Sequence, residues 1–210
     1  MAYDLEEQEQ LAQLKAWWDK YGTITLGLLS LALVIVLGWQ GWNWYENNQS
    51  QQARGYYEAL EQAAAAPNED STPRVVAAMQ ALQKDFAQTD YAARAALVAS
   101  DALRDSGDLA AAQDPLRWLA GSSHVALAPV AKLRLAGLLL DQDKYDEALA
   151  VLDTPPDSFK GLYADRRGDI LAAQGKREEA VAAWREAIAA LPATDTLANV
   201  VQLKIDTLGS

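Results

Sequence analysis

The chain has no cysteine and a single histidine, His124. Disulfides, thiol nucleophiles, thiolate metal sites and any two-histidine metal motif are therefore excluded. Positive charge is also scarce: 18 Lys and Arg stand against 29 Asp and Glu, for a formal net charge of -11. Affinity for nucleic acid rests on clustered Lys and Arg, so nucleic acid is not expected as a partner. Glycine and proline number only 12 and 7 in 210 residues, which leaves out collagen-like and loop-dominated chains. Against these absences stand 41 Ala and 30 Leu. Both are strong helix formers, and the expected fold class is all-α.

One further absence is local. Between Lys20 and Glu46 lie 25 residues without a single Asp, Glu, Lys or Arg. Their centre, ITLGLLSLALVIVL from Ile24 to Leu37, is apolar on every side, the pattern of a helix surrounded by lipid. At 1.5 Å per residue the stretch is roughly 36 Å long, enough to cross a hydrocarbon core of about 30 Å. Trp17 and Trp18 precede it, and Trp39, Trp42 and Trp44 close it, with Tyr21 and Tyr45 beside them. Indole and phenol rings settle at the membrane–water boundary, so these form two interfacial belts. A cleaved secretory signal fits poorly. Its leading region would be 20 residues long and net acidic, and bulky Trp39 and Trp42 stand where a small-residue cleavage site belongs.

Orientation follows from the few positive charges. Lys15 and Lys20 lie just before the span, whereas the first basic residue after it is Arg54. Positive-inside counting places the N-terminus in the cytoplasm and exports the rest, in a bacterium to the periplasm. The sequence thus predicts a cytoplasmic tail over 1–20, a transmembrane helix over 21–45 and a stalk helix and turn over 46–72. An exported helical domain follows over 73–210. Leu11, Leu14 and Trp18 in the tail share a helical face and suit a short surface helix or a cytoplasmic contact. The cluster from Pro67 to Pro73 reads as a turn with a helix N-cap at Ser71 or Thr72.

Beyond Pro73 the chain repeats. Gly168, Gly175, Ala180, Trp184, Ala187 and Pro192 follow the tetratricopeptide spacing: small residues where helices cross, a glycine in the inter-helix turn, an aromatic filler and a helix-ending proline. The same spacing catches Ser100, Gly107, Ala112, Leu116 and Leu119, then Ala136, Asp143, Ala148 and Leu152, with Tyr145 at the aromatic position of the second helix. Three units are expected, stacked into a superhelix, with Pro73 to Phe86 covering the front together with the stalk helix and Leu197 to Leu208 sealing the back.

The first helix of each unit should line the concave side. That assigns a candidate partner-binding groove to Arg94, Leu97, Asp101 and Arg104, then Val130, Leu133 and Leu140, then Leu162, Asp165 and Asp169. A clamp for a terminal carboxylate is not expected, because Lys and Asn are missing from the positions that build one. No catalytic, cofactor or metal site is expected either. The segment Asp141 to Leu152 has Asp146 where a calcium loop needs Gly and Leu152 where it needs Glu, and reads as an inter-helix turn capped by Asp143. Asp165 and Asp169 share a helix face but lack a nucleophile beside them, and Arg166 and Arg167 suggest ordinary pairing. His124 falls in a linker.

A short acidic start, a span ending GWQGWNWY, repeats containing YADRRGDILAAQGKREEAVAAWREAI and the closing VQLKIDTLGS together resemble the ancillary subunits of the bacterial Sec translocon. These are single-span, periplasmic tetratricopeptide proteins, and the likeness runs the length of the chain. It implies an inner-membrane scaffold beside the Sec translocon that partners a membrane-anchored, prolyl-isomerase-like chaperone and helps pass exported proteins to periplasmic folding factors. It also implies a contact of the cytoplasmic tail with a stress regulator. From the residues alone, the alternative is a scaffold for a cell-envelope assembly or division complex.

Overall fold

Alanine and leucine at this density make helix the default state wherever glycine and proline do not interrupt. A computed structural model describes residues 2–66, 68, 70–192 and 194–209. Its helices are α1 (Ala2–Ala65), α2 (Ser71–Asp85), α3 (Asp90–Asp105), α4 (Gln113–Ala120), α5 (Ala128–Leu140), α6 (Tyr145–Val151), α7 (Lys160–Ala173), α8 (Arg177–Ala190) and α9 (Thr196–Gly209). A single 3-10 turn, Asp157–Phe159, precedes α7. No strand occurs among the described residues. The chain divides into two compact units, Met1–Gln49 and Ser50–Ser210.

The first unit is helical throughout its described residues. Apolar side chains from Leu11 to Tyr45 are exposed around the helix, Val34, Trp39 and Trp44 by two thirds or more of their surface. Burying apolar area is worth about 25 cal/mol per Å², so a surface of this kind is stable only when lipid or protein covers it. α1 is the one helix among the described residues long and apolar enough to cross a membrane. Two polar side chains flanking the apolar stretch bond locally: Thr25 donates to the Tyr21 carbonyl, and the Trp42 indole donates to Glu46 at 2.9 Å.

The second unit is built of paired helices, and the turns between them set the phase. Gly107, Asp143 and Gly175 have φ of 86°, 59° and 77°. These are the three residues that the spacing placed in inter-helix turns, and the left-handed backbone found at all three fixes a common phase. The small residues five positions after each turn residue, Ala112, Ala148 and Ala180, are buried. So are the anchors of the first helices, Ser100, Ala136 and Gly168. Leu191 is extended with ψ of 150°, as a residue before proline must be, and α8 stops there.

Three local expectations change. Asp143 does not cap α6: the cap position is Lys144, without a side-chain hydrogen bond, and the Asp143 carboxylate instead accepts from the Tyr145 hydroxyl at 2.6 Å. The start of α2 is capped by neither Ser71 nor Thr72. Asp70 holds that position, and the Ser71 hydroxyl donates to the Asn68 carbonyl at 2.8 Å. Pro67 and Glu69 of the expected turn lie outside the described residues. His124 is more than a linker residue, since its Nε2 lies 2.9 Å from the Ala87 carbonyl and its ring 6.3 Å from Trp118.

A fourth pair of helices precedes the three counted in the sequence. Ala53, Leu60 and Ala63, near the end of α1, are buried in the same core as Val75, Met79 and Leu82 of α2 and the alanines of α3. Tyr56 meets Phe86 at 5.5 Å, and Tyr57 meets Tyr91 at 5.6 Å. At the other end α9 closes the stack through Leu197, Val201, Ile205 and Leu208.

Asp143 carries the strain of a left-handed backbone that glycine bears freely. Asp143→Gly should therefore stabilise the protein by about 0.5 kcal/mol, seen as a higher urea midpoint. A lower midpoint would show that the bond to Tyr145 outweighs the strain.

Candidate functional site

The residues assigned to the groove lie on one side of α3, α5 and α7, and none is fully buried. Arg94 and Arg104 on α3 and Leu162 on α7 are exposed, while the other seven are half-buried. Leu97, Leu133 and Leu140 pack their inner atoms on the core. They still show an apolar edge to solvent, as does Val130. The apolar stripe on α5 is thus Val130, Leu133 and Leu140, interrupted by half-buried Gly137.

Charged side chains cross from α3 to α5 and from α7 to α9. Asp101 on α3 accepts from Arg134 on α5 at 2.7 Å and also pairs with Arg104. On α7, Asp165 and Asp169 both accept from the Lys204 ammonium of α9 at 2.7 Å. Asp169 additionally accepts from the Trp184 indole at 3.2 Å. The two carboxylates are therefore not ordinary partners of Arg166 and Arg167. Arg167 bonds Glu186, and Arg166 comes no closer than 3.9 Å to Asp169.

Burial pushes the Asp165 carboxyl above the usual range, and its bond to Lys204 offsets only part of that. Burial also pulls the Lys204 ammonium down, but the two carboxylates outweigh it and hold it above the ordinary lysine value. The opposite senses reflect one cation shared by two acids. The shift of the lysine is the one that reports the strength of the cluster. The cluster ties α7 to α9.

Arg134 and Lys204 escaped the reading of the sequence, and Arg166 was read only as a local pairing partner, although a signal existed. Arg134 and Arg166 stand two residues before the anchors Ala136 and Gly168, so an arginine recurs at one position in successive units. The pocket bounded by Leu152, Tyr163, Arg167 and Glu186, about 300 Å³, lies on another side of the stack. There the buried Tyr163 hydroxyl donates to the Pro129 carbonyl, and burial holds its pKa up to about 12. No group of three or more His, Asp or Glu able to hold a metal occurs among the described residues.

A family profile described as a tetratricopeptide repeat-like domain matches residues 15–210. An ancillary SecYEG translocon subunit of Neisseria gonorrhoeae is 32% identical over 99% of this chain and 100% of its own length. The chain belongs to that family. Proteins of the same name from Escherichia coli and Haemophilus influenzae are each 28% identical, the first over 96% of both chains and the second over 89% of this chain and 91% of its own. Membership agrees with the architecture: one long apolar helix, then stacked helix pairs whose first helices present a continuous side-chain surface. Tetratricopeptide stacks recognise partners through such surfaces.

Proposed function

We propose that the protein is an inner-membrane-anchored, non-catalytic scaffold beside the Sec translocon that helps pass exported proteins to periplasmic chaperones. The observation that carries this reading is the full-length similarity to ancillary SecYEG translocon subunits, joined to a single apolar helix. Residues 1–20 form the cytoplasmic tail, 21–45 the span, and the helices from 46 onward the periplasmic part. A membrane-anchored, prolyl-isomerase-like chaperone is the partner of the repeats. The tail serves topology and a contact with a cytoplasmic stress regulator.

Anchoring matters through proximity. A tethered domain meets its neighbours at effective concentrations that reach the millimolar range, so weak contacts stay occupied. Two measurements test the reading. A reporter active only in the periplasm should work when fused after Ser210 and fail when fused before Ala2; the reverse pattern would overturn the orientation. The full chain, purified from membranes in mild detergent, should bring translocon components and the chaperone with it. A chimera in which an unrelated span replaces residues 1–49 should keep the chaperone and lose most of the translocon. Loss of both would place recognition in the first 49 residues.

A further inference from the structure

The pairing between first helices has a missing rung. The acid of one unit stands one residue after its anchor, and the cation of the next stands two before its own: Asp101 meets Arg134. Asp169, at the same position of the last unit, meets Lys204 of α9. In the middle unit the acidic position is Gly137. A Cβ placed there would lie 3.6 Å from Nη1 of Arg166, in ordinary contact. Arg166 therefore reaches across to α5 as Arg134 reaches to α3, and finds bare backbone. It makes no hydrogen bond among the described residues, and Asp169, its only ion-pair partner there, is 3.9 Å away and already bonded by Lys204 and Trp184.

We propose that this notch is a binding site for the side-chain carboxylate of an extended segment of an exported protein. The bound Asp or Glu supplies the absent rung to Arg166, and apolar residues beside it rest on Leu133, Leu140 and Leu162. Charge complementarity selects the occupant. A guanidinium with no hydrogen bond among the described residues favours a bidentate carboxylate, and such bonds are about twice as strong as neutral ones. The surrounding leucines are half-buried or exposed and offer an apolar rim on both helices. Glycine at 137 lets the guanidinium lie against α5 without a carboxylate, where an aspartate would bond it from within. The inference rests on the scaffold reading and adds the chemistry of what the repeats hold.

The test uses the full chain in detergent and three fluorescent ten-residue peptides of Ala and Leu. The first has a central Glu and blocked ends, the second Gln in its place, and the third no acid but a free C-terminal carboxylate. The Glu peptide should bind about tenfold more tightly than the Gln peptide, the ratio expected of one charge-assisted hydrogen-bonded pair. Arg166→Gln should abolish the preference, and Arg166→Lys should keep part of it. Gly137→Asp should abolish it too, with helicity and melting temperature unchanged or higher, because its carboxylate occupies the notch. That second variant separates occupation from damage. Equal binding of the Glu and Gln peptides by the unaltered protein would overturn the proposal, as would a preference surviving both substitutions. Tight binding of the third peptide alone would overturn it as well, by assigning Arg166 to chain ends. Copurification with the translocon, followed in the same variants, separates the two readings: a chain that copurifies but ignores the Glu peptide refutes only the site.

Discussion

Replacing Trp184 by Ala is expected to cost about 3 to 5 kcal/mol of stability, the largest effect of any single truncation in the last repeat. The indole is 4% exposed, fills the space between α7 and α8, and packs with Ala180, Ala183 and Val201. It also donates to Asp169 at 3.2 Å, so truncation removes both volume and a bond inside the Lys204 cluster. Its fit depends on Gly168. A methyl group there would overlap the Trp184 ring, and Gly168→Ala alone should cost roughly 1 to 3 kcal/mol. Because the two residues share one space, the double variant should be less destabilised than the sum of the single ones. Urea unfolding of the four proteins gives the coupling directly. A loss under about 1 kcal/mol for Trp184→Ala would contradict the burial.

Lys204→Met is expected to cost about 2 kcal/mol at pH 7, since it leaves two largely buried carboxylates facing each other without their cation. Asp165 and Asp169 are only 15% and 22% exposed at the side chain. Arg166, 3.9 Å from Asp169, is the further charged group acting on Asp165. The folded value of Asp165 is raised, so its protonation favours the folded state. That contribution is present below the unfolded carboxylate value and is lost as pH rises through the folded one. Without the ammonium the carboxyl rises further. The deficit of the variant should therefore be small near pH 4 and grow toward pH 7. Lys204 titrates in the other window. Its raised value adds stability that is full below about 10.4, the unfolded lysine value, and lost above it, so the two proteins should converge in strong alkali. Melting temperatures across pH 4 to 8 check the first part. A deficit independent of pH would mean that lost packing of the lysine stem, rather than charge, is the cause.

The two effects concern the same end of the molecule but were not equally visible beforehand. Trp184 and Gly168 belong to a spacing that repeats, and repetition is a property of one dimension. The small anchors, the left-handed turn residues and the buried alanines recur because every pair must let its neighbour approach equally closely. The charge-free run from Tyr21 to Tyr45 is legible for a similar reason, since lipid imposes the same demand at every residue of a span.

The sequence by itself therefore determined the helical class, the single apolar helix and the phase of the repeats. Tertiary structure alone decided which surface charges meet. Lys204 lies 39 residues from Asp165, and Arg134 lies 33 from Asp101. An arginine recurs two residues before the anchors of the second and third units, but its recurrence does not say which acid it meets, because exposed polar positions tolerate many residue types and leave the burial pattern unchanged. Tertiary structure also drew the end of α1 into the core, where Ala53, Leu60 and Ala63 are as buried as any alanine of the repeats. In sequence that stretch is merely helix-forming. Only packing against α2 and α3 distinguishes a core helix from a stalk, and that contact is a matter of distance in space, not of spacing along the chain.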